Sequence, residues 1–554
     1  MTEQDKTPGA GASAGASAGA DQPKTRRGRK NPLGSVALVA SGPGDPELLT
    51  IRAQRLLGEA EAIVADADVT GIAARFAPEA ELVSVVDEDG LPFDRVTRAK
   101  LVIELARAGR AVARLFSGDP TYDGALATES AVLHRAKVPY EVAAGVSTVT
   151  GAAAYAGFPL TNAKASEVRV VQVGQVTDWA THADPGVTLV VIDGADQAPA
   201  VAAALLAAGR KPNTPVAVIR GVTTVEQRTV VTSLGEVGAV MKASRQSGSG
   251  VLVVGDVVGQ VDKLAWFESK PLFGWRVLVP RTKEQAGALS DQLRRYGAVP
   301  VEVPTISVEP PRTPQQMERA IQGLVSGRYQ WVAFTSANAV RAVREKFESY
   351  GLDARAMAGL KVAVVGEQTA AALRDFGVEP DLVPTSDQSS AGLVEAWPPF
   401  DAEVDPIDRV FLPRADIATE TLAAGLAALG WEVDDITAYR TVRAAPPPAD
   451  IREAIKAGGF DAVLFTSSST VRNLVGIAGK PHTCTVVACI GPQTAQSVTE
   501  HGLRVDVLAS VPNASVLADE LAQHGEELRR AAIDAGENDW RPSRRRAAAR
   551  RRAR

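Results

Sequence analysis

Residues 331–340 read Trp-Val-Ala-Phe-Thr-Ser-Ala-Asn-Ala-Val, and residues 462–471 read Ala-Val-Leu-Phe-Thr-Ser-Ser-Ser-Thr-Val. Each is a short apolar run of strand length, a Thr-Ser step, and the opening of an amphipathic helix. A second pair has the same form: Gly366-Glu367-Gln368-Thr369-Ala370 follows the run 362–365, and Gly491-Pro492-Gln493-Thr494-Ala495 follows 486–490. A third pair is Val279-Pro280-Arg281 and Leu412-Pro413-Arg414. The offsets of 131, 125 and 133 residues exceed any solenoid unit, so the second half reads as two similar α/β lobes. Strand, loop and helix in this order predict parallel sheets whose loops gather at the carboxyl ends of the strands, the usual ligand position. Helix N-termini there offer backbone N–H groups and a positive dipole end to anions. Thr335, Ser336, Asn338, Gln368, Thr369, Ser467, Ser468, Ser469, Gln493 and Thr494 are therefore candidate ligand contacts. Ordinary helix capping is the alternative for the Ser and Thr residues. Arg281 and Arg414 are candidate cations, with surface ion pairs as theirs.

Outward from these lobes, β-branched runs alternate with Ala- and Leu-rich segments from Ser35 to about residue 525, an α/β texture. A polar stretch at 260–273 separates a first domain, 34–259, from a second, 274–526. Residues 1–33 are Gly-, Ala- and Ser-rich and then basic, and 527–554 end in an Arg-rich run; both are expected to be disordered tails. The net charge of −5 hides this arrangement: 541–554 carry +8 and 1–33 carry +3, leaving about −16 on the body. Without an apolar run of ~18 residues or a signal peptide, the chain reads as a soluble cytoplasmic protein. Cys484 and Cys489 are too far apart for a disulfide along an extended run, and the five histidines show no ligand spacing, so no metal is expected. No Ser-His-Asp set, Cys-His set or carboxylate pair assembles from the motifs. The terminal arginines lack any recognition motif, so a specific nucleic-acid partner is not expected, nor is a membrane.

The motifs just quoted, with Tyr439-Arg440-Thr441, resemble uroporphyrinogen-III synthase over 274–526. The resemblance implies one lobe from 274–306 and 442–526, a second from 307–441, and two crossings marked by Pro310, Pro311 and Pro446–Pro448 that act as hinges. It implies cyclisation of the linear tetrapyrrole hydroxymethylbilane to uroporphyrinogen III, with loss of water, inversion of the last ring and no cofactor. Tyr439 would donate to, or orient, the departing hydroxyl, and the residues above would hold carboxylates. A non-catalytic tetrapyrrole-binding module is the alternative.

The first domain resembles the tetrapyrrole methylases, in particular uroporphyrinogen-III C-methyltransferase. The resemblance rests on Ser41–Thr50, Ser117-Gly118-Asp119-Pro120, Pro139–Thr148, Ala154–Thr161 and Thr223–Arg228. It implies S-adenosylmethionine held by Pro43, Gly118, Asp119, Ser147 and Thr148, and a homodimer through this half. Four positions depart from the pattern. Ala65-Asp66-Ala67 replaces Tyr-Asp-Arg, the turn Asp123-Gly124-Ala125 lacks its arginine, Val86–Gly90 is acidic where the family is basic, and Asp193 stands at a methionine position. Each lost charge-assisted contact to a polycarboxylate costs about 1.5–3 kcal/mol, so methyl transfer is expected to be impaired or altered. Full activity in both halves is the alternative.

Overall fold

The computed structural model describes residues 32–544 apart from 88–89, 177, 245–246, 282, 386 and 538–539, with only the backbone at 283–285. Residues 1–31 and 545–554 of the expected tails, and the acidic pair Glu88 and Asp89, lie outside the described residues. The chain divides into two units, with the division between Leu264 and Ala265. Among the described residues no helix is long and apolar enough to cross a membrane.

The first unit opens with β1 (Val36–Ala40), β2 (Ala62–Ala65), β3 (Glu81–Val83), β4 (Val112–Phe116) and β5 (Glu141–Ala143). They form a parallel sheet in the order β3-β2-β4-β1-β5. Every residue of β1 and β4 is buried, as expected of near-continuous apolar runs covered on both faces. Because β4 and β5 flank β1, the carboxyl ends of these three strands lie side by side, the usual ligand position of an open parallel sheet. The helix Thr148–Ala156 leads to a second sheet of β6 (Glu167–Gln172), β7 (Val187–Ile192), β8 (Pro215–Arg220), β9 (Arg228–Ser233) and β10 (Gly250–Val254). Its order is β6-β7-β10-β8-β9, antiparallel except for β6 and β7.

The second unit contains β11 (Arg276–Val279), β12 (Val299–Glu302), β13 (Ile306–Glu309), β14 (Trp331–Phe334), β15 (Lys361–Val364), β16 (Arg409–Ala415), β17 (Glu432–Arg443), β18 (Ala462–Phe465), β19 (Val486–Cys489) and β20 (Val507–Leu508). One lobe is the parallel sheet β12-β11-β18-β19-β20, drawn from both ends of the unit. The other is β13-β17-β16-β14-β15, parallel except for β13. The two crossings are hydrogen-bonded to each other: Ile306 to Glu309 pair antiparallel with Arg443 to Arg440, making a two-stranded ribbon. Neither Cys484 nor Cys489 is in a disulfide, and burial pushes the Cys489 thiol up to about 12.

The structure corrects the expectation of a disordered tail from residue 527. The helix Ala514–Asp534 runs past that point, because the apolar positions Leu517, Leu521 and Leu528 continue at helical spacing against the β11–β19 sheet and Ala532 beyond them is buried. Beyond it, Trp540 packs on Trp275 with ring centroids 5.8 Å apart, and Arg541 is buried with its guanidinium on the Gly274 carbonyl. The Ser543 N–H donates to the buried Asp461 carboxylate at 2.9 Å, which also accepts the Arg276 N–H. Burial raises the Asp461 carboxyl above the usual carboxylate range, and these donors offset part of that rise.

Candidate functional site

In the β13–β17 lobe, Ser336 caps the helix Ala337–Ser349, its Oγ accepting the Ala339 N–H at 3.2 Å. The same hydroxyl lies 2.9 Å from the Tyr439 hydroxyl. Tyr439 is aimed there by a bulge. Register along β16 and β17 runs from Arg414 opposite Thr437 to Ala415 opposite Tyr439, so Ala438 is the extra residue that turns the strand. Directly beyond Tyr439 the strand leaves β16 and enters the ribbon with β13. Tyr439 and Asn338 line a cavity of about 780 Å³ together with the ribbon residues Ser307 and Glu309. An Oγ that already accepts from a helix N–H is free to donate its own proton to the phenol oxygen, which leaves the phenol proton available to a ligand.

The neighbouring loop repeats the plan. Gly366 precedes the helix Glu367–Asp375, where Gln368 is exposed and Thr369 buried. The Val365 N–H donates to the Phe334 carbonyl at 3.2 Å, joining the two loops. The other lobe shows the same join, Ile490 N–H to the Phe465 carbonyl at 3.0 Å. There Ser467 caps the helix Ser468–Ala478 and lies 2.9 Å from the Ser469 hydroxyl, while the Ser468 hydroxyl donates to the Gln493 carbonyl at 3.0 Å. Gln493 is exposed, and Thr494 is buried at the start of Pro492–Glu500. Each lobe thus brings two helix N-termini to the carboxyl ends of adjacent strands, with Thr335 at the step into the first helix.

The two candidate arginines part company. Arg414 is taken up by its own lobe: it pairs with Asp435 and donates to the carbonyls of Ala418 and Thr419 at 2.9 and 2.8 Å. Its guanidinium is thus engaged within the lobe, Nε and Nη2 by the Asp435 carboxylate and Nη1 by the two carbonyls. Arg281, just beyond β11, is half-buried, and no described carboxylate pairs with it. Burial alone lowers its affinity for its proton. A cation held out of water without a counter-ion is suited to an incoming anion.

In the first unit, three loops meet at the carboxyl ends of β1, β4 and β5. Gly42 and Gly118 form a backbone bridge, and the Ser41 hydroxyl accepts the Gly118 N–H at 3.1 Å. Gly118 has φ +65°, and a Cβ there would stand 3.5 Å from the Thr148 hydroxyl. Gly44, at φ +141°, lies so close to Val222 that a Cβ would approach its carbonyl to 2.7 Å. Pro43, Gly118, Ser147 and Thr148 therefore lie on loops that pack together as one cradle, Gly118 against Thr148 and Pro43 against Gly151 of the helix that Ser147 caps. Ser147 caps Thr148–Ala156 and approaches the Tyr122 hydroxyl at 3.5 Å. The Asp119 carboxylate is engaged by Thr121, accepting its N–H at 3.1 Å and hydroxyl at 2.6 Å, so it shapes the loop. Asp45 accepts from Tyr155 at 3.1 Å, and burial together with that carboxylate pushes the Tyr155 hydroxyl up to about 12. Sequence reasoning picked out Asp66 in the altered triplet but missed its partners beneath this cradle: the Asp66 carboxylate accepts the Ser117 N–H, and Arg98 and Arg114 hold it.

Residues 35–238 match the family model of the tetrapyrrole (corrin/porphyrin) methylases, and residues 287–519 match that of uroporphyrinogen-III synthase HemD. The chain therefore joins a tetrapyrrole-methylase domain to a uroporphyrinogen-III synthase-like domain, and its place is in tetrapyrrole biosynthesis. Among relatives, the porphyrin biosynthesis protein HemD of Ruminiclostridium josui is 29% identical over 505 residues, covering 89% of this chain and 98% of the relative. The siroheme synthase of Azotobacter vinelandii is 39% identical over 249 residues, 43% of this chain and 53% of the relative, so the chain spans about half the length of that protein. A crystal structure of the uroporphyrin-III C-methyltransferase of Thermus thermophilus with S-adenosyl homocysteine is 33% identical, covering 41% of this chain and 99% of that one, with a TM-score of 0.36.

Proposed function

We propose that the second unit cyclises hydroxymethylbilane to uroporphyrinogen III, with loss of water and inversion of the last ring. The observation that carries this reading is the Ser336 and Tyr439 hydroxyl pair at 2.9 Å beside a cavity, within a domain matched by the synthase family. The electron-rich pyrrole expels the hydroxyl once a proton reaches it, and Tyr439 supplies that proton or orients the group. The helix N-termini of both lobes and Arg281 hold the acetate and propionate groups without a metal. Catalysis rests on positioning, in keeping with an anionic substrate gripped at many points. Incubating the full chain with hydroxymethylbilane should yield isomer III. Isomer I alone, the spontaneous product, would refute the synthase reading and leave a binding module. Replacing Tyr439 with Phe should lower kcat by about tenfold to hundredfold with little change in KM.

The first unit, on this proposal, binds S-adenosylmethionine in the cradle of Pro43, Gly118, Ser147 and Thr148, with Asp119 shaping the β4 loop. The bound cofactor supplies an electrophilic methyl group, and uroporphyrinogen III, the product of the second unit, is the acceptor. Support comes from the methylase family match and from loops packed backbone to backbone. The acidic and neutral replacements around Ala65–Ala67 and Val86–Gly90 favour slow transfer. A methyl-transfer assay with uroporphyrinogen III tests this; robust dimethylation would overturn the claim of weakened activity.

A further inference from the structure

Four charged side chains converge beneath the loop that follows β4. Arg114, on β4, is fully buried and grips the equally buried Glu129 through two contacts of 2.9 and 3.0 Å. Its Nη2 also donates to Asp66 Oδ1 at 2.7 Å, and Arg98 reaches the same oxygen at 2.6 Å from the helix Arg95–Arg107. With Oδ1 held twice, Oδ2 accepts the backbone N–H of Ser117 at 3.0 Å. Arg95, one helical turn before Arg98, secures the far end of the loop: it donates to the Asp123 carbonyl at 2.9 Å and to its carboxylate at 2.8 Å. The segment from Ser117 to Asp123, which carries Gly118 and Asp119, is thus fixed at both ends by cations of one helix. A cavity of about 500 Å³ lined by Asp66, Arg95, Arg98, Arg114 and Asp123 opens beside it.

Buried ion pairs add little net stability compared with apolar packing, because desolvation offsets the attraction. Directionality is what an apolar cluster could not supply. A carboxylate held at one oxygen by two guanidinium groups cannot rotate, so its second oxygen presents one fixed acceptor to the Ser117 N–H. We infer that Arg98 and Arg95 are positioning residues for the methyl-donor site, acting through Asp66 and Asp123 on the Ser117–Asp123 loop. This rests on the reading that the loop holds the cofactor.

Calorimetric titration of the full chain with S-adenosylhomocysteine tests it. R98Q, which keeps a donor but removes the charge, should bind about tenfold more weakly than the unaltered protein, and R98K should recover most of the loss. R95Q, at a more exposed site, should weaken binding about threefold. Amide exchange at Ser117 should quicken in R98Q while exchange in β1 and β4 stays the same. Arg114 is unsuitable for this purpose, since its removal strands Glu129 in the core. Unaltered protein that binds no S-adenosylhomocysteine would overturn the cofactor reading and this inference together. Binding in the unaltered protein with equal affinity in R98Q would overturn the inference alone, as would a lowered Tm with an unchanged Kd.

Discussion

Arg281 and Arg414 occupy matching positions of a duplicated motif, each in a Pro-Arg step at the end of a strand, and nothing in the local sequence separates them. Their partners do. Asp435, which holds Arg414, comes within reach because the parallel register of β16 and β17 sets it opposite Leu412, two residues before Arg414. No described acid takes that place for Arg281. Arg281→Ala should therefore lower kcat/KM for hydroxymethylbilane by about tenfold or more, the worth of one charge-assisted contact, with little change in Tm. Arg414→Ala should do the reverse, costing about 1–2 kcal/mol of stability as Asp435 and two carbonyls lose their donor, with turnover largely kept. Urea unfolding of both variants beside their kinetics would distinguish the two; equal kinetic losses would refute the division. The same contrast marks what was legible in the sequence. Ser336, Ser467 and Thr369 could be read because strand, loop and helix follow one another within a few residues. Asp66 with Arg98 and Arg114 could not, because the partners stand 32 and 48 residues apart and meet only through the sheet order β3-β2-β4-β1-β5.

At the scale of elements, the parallel strands followed from apolar runs bounded by turn residues, whereas the ribbon and the C-terminal segment did not. The ribbon pairs residues more than 130 positions apart, and its strands are polar enough to read as linkers. The C-terminal segment misleads through composition. Its arginine density signals a solvated tail, yet one arginine is buried and donates to a backbone carbonyl, and one tryptophan finds a buried partner, Trp275. Charge counts describe averages, and burial is decided residue by residue. Truncation after Asp534 removes the Trp540 packing, the Arg541 contact and the Ser543 N–H from Asp461, leaving that carboxylate with fewer donors in a buried place. A loss of about 2–3 kcal/mol is expected, lowering the Tm of the second unit by about 5–10 °C. Truncation after Arg544 should leave it unchanged. If both truncations melt with the full chain, the segment adds nothing to the fold.

For the whole molecule, the −16 of the region between the basic ends argues against any broad attraction for an anionic tetrapyrrole, so recognition has to be local to helix N-termini and a few cations. The buried clusters are likewise local. Those around β1, β4, β7 and β10 are completed by residues before 262, and those around β11, β14, β16 and β18 by residues after 271. A unit that completes its own cores should unfold as its own cooperative transition. Calorimetric scans of the full chain should therefore show two transitions. S-adenosylhomocysteine at a hundred times its Kd stabilises only the unit that binds it, by about 2.7 kcal/mol. For a unit of this size that is a rise of about 5–10 °C in one transition, with the other unmoved. The transition that rises should be the one left unchanged by truncation after Asp534, which assigns each peak to its unit without separating them. A single transition carried upward as a whole by the ligand would mean that the two units share their stability, and the picture of self-sufficient cores would fail.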